Sequence, residues 1–135
     1  MTFSLRTRGH TDIVDITARV RDVAARKGVN EGIAHVFVGG STAALSVIEY
    51  EPGAIRDLKE ALDRIAPSDA HYHHNEAWGD GNGYAHLRAA LMKPSLSIPI
   101  EGGQLRLGTW QQIIVLDFDN RPRSRTIHVQ ISACV

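Results

Sequence analysis

Ile113–Phe118 reads IIVLDF, almost entirely apolar, and is the pattern of a buried strand. Gly108, ahead of Thr109 and Trp110, supplies a turn or bulge that feeds it. Downstream, the DNRP turn leads to Ile127, Val129 and Ile131, alternating with Thr126, His128 and Gln130 as in a half-buried strand. Upstream, Leu96, Ile98 and Ile100 alternate in the same way before the turn EGG. Residues 3–8 alternate too, Phe3 and Leu5 against Ser4 and Arg6. Ile33–Val38 is a short β-branched apolar run, and Ala43–Ile48 a candidate strand after it.

Helical spacing appears between these strands. Ile16, Val20, Val23 and Ala24 form one apolar stripe, with Asp15 or Thr17 to cap its start and Gly28 to stop it. Pro52 opens a second stripe, Ile55, Leu58, Leu62 and Ile65, that Pro67 ends. A short helix follows from about Tyr84 to Met92. The class predicted is α+β: a single domain with a large mixed or antiparallel β-sheet and two to three helices.

Size and charge narrow the partners. A chain of 135 residues is one domain, long enough to bury a core without disulfides. Lys+Arg and Asp+Glu both number 15, so no basic footprint for nucleic acid exists. The single Cys134 excludes an intramolecular disulfide and a multi-cysteine zinc site. No apolar run approaches the roughly 18 residues of a membrane span, and MTFSLRTRGHT lacks a signal core. The expectation is a soluble, cytoplasmic protein that engages neither nucleic acid nor membrane.

Three stretches carry chemistry. HYHHNEAWGDGNGYAHL, His71 to Leu87, holds four of seven histidines. Imidazoles with a carboxylate suit zinc or a similar ion. His71 and His73 could share a face, and the GDGNG turn can bring His86 back toward His74, with Asp80 as ligand or orienting group. Solvated imidazoles are the alternative. GGSTAAL, Gly39 to Leu45, offers exposed amides and two hydroxyls for a phosphate, or else a plain turn. Glu49, at the close of the candidate strand, could face a cleft. Arg121, Arg123 and Arg125 could bind an anion. They equally suit a solvated hairpin end paired with Asp117 or Asp119.

Four stretches in order, GGSTAALSVIEYEPG, YHHNEAWGDGNGYAHL, SLSIPIEGGQLRLGTWQ and DFDNRPRSRTIHVQI, resemble the YjbQ-like family. Its members are described as secondary thiamine-phosphate synthase enzymes. The resemblance runs from about Leu5 to Ile131. It implies an α+β fold, assembly as a homotrimer, and a pocket where His74 and His86 lie near Glu49. It also implies a transferase activity joining a pyrimidine diphosphate to a thiazole phosphate. Many relatives read His-Thr-Thr or His-Ser-Ser where this chain has Gly40-Ser41-Thr42.

On that basis Glu49 and His86 are the expected catalytic pair, and His74, His86 and Glu49 the expected ligands of a divalent metal ion, zinc or magnesium. Gly40, Ser41, Thr42, Asn82 and Arg123 are expected to hold a small phosphorylated substrate. Two rival readings accompany this one: a metal-dependent hydrolase, and a non-catalytic oligomeric module that binds a metal or metabolite.

Overall fold

A computed structural model describes residues 1–134. Eight strands and four helices follow one another along the described residues. They are β1 (Thr2–Thr7), β2 (Asp12–Asp15), α1 (Thr17–Lys27), β3 (Gly32–Val38), β4 (Ala43–Ile48), α2 (Pro52–Ile65), α3 (His73–Trp78), α4 (Gly83–Met92), β5 (Ser95–Glu101), β6 (Gln104–Leu105), β7 (Gln112–Asp117) and β8 (Arg123–Ala133).

The α+β class holds, but the strands form two sheets rather than one large one. One has five strands in the order β1-β8-β3-β5-β6, the other three in the order β2-β7-β4. Every pairing is antiparallel. β7 explains the division. Its alternate residues Ile113 and Val115 face a core shared with β3, β5, β8 and α1. Ile114, Leu116 and the following Phe118 face a second core, built with Leu62 of α2 and Ala85 and Ala89 of α4. A strand covered on both faces has no polar face to show, which is why IIVLDF lacks alternation. The layers therefore run five-stranded sheet with α1, three-stranded sheet, then α2 and α4.

The five-stranded sheet covers one face only. β3 alternates strictly, with Ala34, Val36 and Val38 buried while Ile33, His35 and Phe37 face outward.

Helix boundaries follow local chemistry. Glu51 caps α2 by accepting from the Gly53 and Ala54 amides, with Pro52 at the first helical position. Asp15 accepts from the Thr17 amide at the head of α1, and Gly28 closes that helix at φ 62°. Four helices stand where two to three were expected. The extra one is α3, six residues with none buried, drawn from the histidine stretch, where the sequence predicts no helix before about Tyr84. Among the described residues no helix is long and apolar enough to cross a membrane.

Candidate functional site

The β3–β4 turn, the β7–β8 turn and the facing ends of α3 and α4 enclose one open cleft of about 510 Å³. Gly40, Ser41, His74, Asp80, Asn82 and Arg123 are among its walls.

Its floor is a buried carboxylate–guanidinium network. Asp117 and Asp119 lie two residues apart where β7 ends, and Arg123 and Arg125 two apart where β8 begins. The turn between them sets the pairs opposite each other. Arg125 grips Asp117 bidentately, Nε to Oδ2 at 2.7 Å and NH2 to Oδ1 at 2.8 Å. Thr7 donates to the same carboxylate from β1. Arg123 Nε donates to Asp119 Oδ2 at 2.8 Å, and its NH2 lies 2.6 Å from that oxygen. The Thr42 hydroxyl joins the halves: it accepts from Arg125 NH2 and donates to Asp119. Both aspartates are wholly buried.

Burial is the largest single influence on Asp119, and it opposes ionisation. Donors from Arg123, Thr42, the Asn120 amide and Asn82 together outweigh it and hold the carboxyl below its usual range. The floor thus sets two carboxylates against two guanidinium groups.

The wall is different. α3 and α4 are locked together where Asn75 accepts from the Gly83 amide, and Gly83 sits so tightly that a Cβ would stand 2.6 Å from Tyr72 Cβ. That docking brings the His74 and His86 rings to 4.2 Å between centroids. Burial first, then the neighbouring His74, lowers the His86 pKa; Asp80 and Asp119 oppose this but do not prevail. Its imidazole is therefore neutral near pH 7, the form that ligates metals.

Two buried side-chain atoms among the described residues have no hydrogen-bond partner, His74 Nε2 and Asn82 Oδ1. Both belong to this cleft. Asp80 Oδ1 approaches His74 Nε2 only to 3.7 Å. Asp80 is exposed and flanked by Gly79 and Gly81, both at positive φ, so its carboxylate has room to turn.

The expected site residues are therefore mostly gathered, with two corrections. Glu49 is exposed beyond the far end of β4, whereas the cleft lies before its near end. Six strand residues at about 3.3 Å each separate Glu49 from Thr42. Within the chain it does not stand beside His74 and His86. Thr42 is present, but its hydroxyl proton goes to Asp119, leaving no donor for a phosphate. Ser41 is exposed and forms no side-chain bond among the described residues, and Arg123 keeps its NH1 group outside the Asp119 pair.

Asp117, Asp119 and Arg125 form the buried floor, a role beyond the solvated hairpin end read from sequence. The usable signal was the i, i+2 spacing on each side of DNRP, which puts each pair on one strand face. Gly40 has a specific reason to be glycine. Its φ is 109°, and a Cβ there would stand 2.6 Å from Arg125 NH1.

The comparisons bear on what this cleft does. The family model described as "UPF0047 protein YjbQ-like" matches residues 1–134. A UPF0047 protein of Methanothermobacter thermautotrophicus is 38% identical over 128 residues, covering 95% of this chain and 87% of the relative. One of Archaeoglobus fulgidus is 37% identical, covering 96% and 98%. A crystal structure from Clostridium acetobutylicum superposes with a TM-score of 0.89 at 37% identity, covering 98% of this chain and 99% of that one. It is described as an uncharacterized conserved protein of the yjbq/upf0047 family. A structure from Aeropyrum pernix, described as a hypothetical protein, gives 0.88 at 30% identity, covering 99% of each chain.

These findings overturn the expected activity. The relatives bear a family label with no reaction attached, so thiamine-phosphate synthesis, the transferase class and the hydrolase alternative all fall. The family resemblance itself stands over the whole described chain: this protein belongs to the UPF0047, YjbQ-like family.

Proposed function

We propose that the cleft binds a divalent transition-metal ion on His74 and His86 and, through it, a small anionic ligand such as a phosphorylated metabolite. The observation that carries this reading is the pair of orphaned buried atoms, His74 Nε2 and Asn82 Oδ1, in one cleft beside a neutral His86. A buried polar atom without a partner costs about 1–3 kcal/mol, and an arriving ligand relieves that cost.

The donor set selects the ion. Two imidazoles with one carboxylate, Asp80, suit zinc or a similar metal and leave a position open. Magnesium prefers an all-oxygen shell and fits less well. An anion alone meets a poor host here, since Asp117 and Asp119 already neutralise both guanidinium groups. A bound ion supplies the missing positive charge. The anion then lies between it, the Ser41 hydroxyl and the NH1 groups of Arg123 and Arg125.

The test is calorimetric. Zinc titrated into metal-free protein is expected to bind in the wild type and to lose this site in His86→Ala, and inorganic phosphate to bind better once zinc is present. Phosphate binding that ignores zinc contradicts the reading. Self-association as a homotrimer is part of the same proposal. It is supported by Ile33 and Phe37, apolar and exposed on the outer face of the five-stranded sheet, and sedimentation velocity tests it.

A further inference from the structure

A second group of metal-ligating side chains stands outside the cleft. His71, His73 and Glu76 each offer one ligand atom, and these atoms all lie within 4.8 Å of one another. His71 Nε2 is 2.7 Å from Glu76 Oε1, and His73 Nδ1 is 3.5 Å from Glu76 Oε2. The two rings meet edge-on at 5.3 Å between centroids. A tetrahedral zinc ion with bonds of about 2.0–2.1 Å holds neighbouring ligand atoms about 3.3 Å apart. The two histidine-to-carboxylate contacts, 2.7 Å to Oε1 and 3.5 Å to Oε2, lie on either side of that spacing. All three side chains are more than half exposed, so the remaining adjustment is free rotation rather than repacking.

The cluster's place in the fold gives the ion something to do. His71 precedes α3, His73 begins it, and Glu76 lies one turn in, so an ion on all three clips the helix to the chain that enters it. Apart from the Asn75–Gly83 bond that ties it to α4, α3 is weakly held: it is six residues long, none buried, and Tyr72 at its cap position makes no side-chain capping bond. A helix that short is marginal without tertiary support. The next residue after His73 is His74, whose ring forms the wall of the cleft.

We propose that His71, His73 and Glu76 form an outer binding site for a divalent transition-metal ion, zinc or one of similar preference, that staples α3. The ion takes one imidazole nitrogen from each histidine and one carboxylate oxygen, with water completing the shell. Ligation at His71 Nε2 replaces its hydrogen bond to Glu76, and the neutral ring then carries its one N–H on Nδ1. The site's existence does not depend on the cleft reading. Only its consequence does, since fixing α3 fixes His74.

The experiment uses the full chain and zinc alone. His74→Ala/His86→Ala removes the inner ligands and leaves the outer trio. Calorimetry is expected to show one zinc equivalent in this variant, and its loss when His71→Ala and Glu76→Gln are added. Hydrogen exchange is expected to slow at the α3 amides when zinc is added to wild type, and to be unchanged by zinc in His71→Ala/Glu76→Gln. No zinc binding by His74→Ala/His86→Ala overturns the outer site, even if wild type binds one ion in the cleft. Conversely, His71→Ala/Glu76→Gln that binds no zinc counts against the cleft reading and leaves the outer site standing. Zinc that binds without slowing α3 exchange overturns the stapling role.

Discussion

The floor and the wall of one cleft are built on opposite terms. In the floor, Asp117, Asp119, Arg123, Arg125 and Thr42 are packed so that each charged group has an opposite charge or a donor within 3.1 Å. In the wall, His74 and His86 are partly exposed, and one ring nitrogen is left without a partner. A satisfied buried network fixes shape, and little in it is free to meet a ligand. The unsatisfied wall is where binding has something to gain. Charged residues near a cleft are thus not equivalent. Those already answered are scaffold, and those still unanswered are site.

The difference can be broken first at the floor. Asp117→Ala strips the buried Arg125 guanidinium of its bidentate partner, leaving only Asp119 at 3.9 Å, and is expected to cost about 3 kcal/mol of stability in chemical denaturation. A loss below 1 kcal/mol means the floor is not the scaffold described. Gly40→Ala comes next. It forces a residue with a Cβ to φ 109° and against Arg125 NH1, for an expected cost of about 1–3 kcal/mol.

Acid probes the same network. The Asp119 pKa is lowered in the folded chain, so its contribution is present above the unfolded carboxylate value of about 3.9 and is lost as pH falls further. Melting temperature is expected to drop from about pH 4 downward, and less steeply in Asp119→Asn than in wild type. The smallest effect on stability belongs to the wall. His74→Ala is expected to change unfolding free energy by no more than about 0.5 kcal/mol while abolishing zinc binding in the cleft. Large destabilisation with zinc binding intact would exchange the two roles.

Much of this was legible in the sequence where local chemistry decides. Pro52 began α2, Gly28 ended α1, and the alternation at 127–131 became part of β8. The apolar run at 113–118 marked β7, although that it carries two cores needed the opposing layers to be seen. β2 escaped notice because Asp12–Asp15 is only four residues long and its partner β7 lies about a hundred positions away. α3 escaped because it has no buried apolar face and no N-terminal capping side chain, two signals by which a helix is read.

In the site, His74 and His86 were foreseen together because a glycine-rich turn of suitable length separates them. Glu49 was misplaced because closing a strand says nothing about which end of the strand the cleft occupies. The burial of Arg125 could not be read from composition. Only the β1–β8–β3 pairing, which covers it, makes an arginine an interior residue.

The most direct test of the central claim, that the unanswered wall is the binding site, is an NMR titration. Zinc is added to the metal-free chain carrying His71→Ala and Glu76→Gln, and the imidazole resonances of His74 and His86 are followed. Both are expected to shift or broaden together and to saturate at one equivalent, with the backbone amides of Asp117 and Asp119 little changed. Imidazole resonances of His74 and His86 that do not move in excess zinc would contradict it.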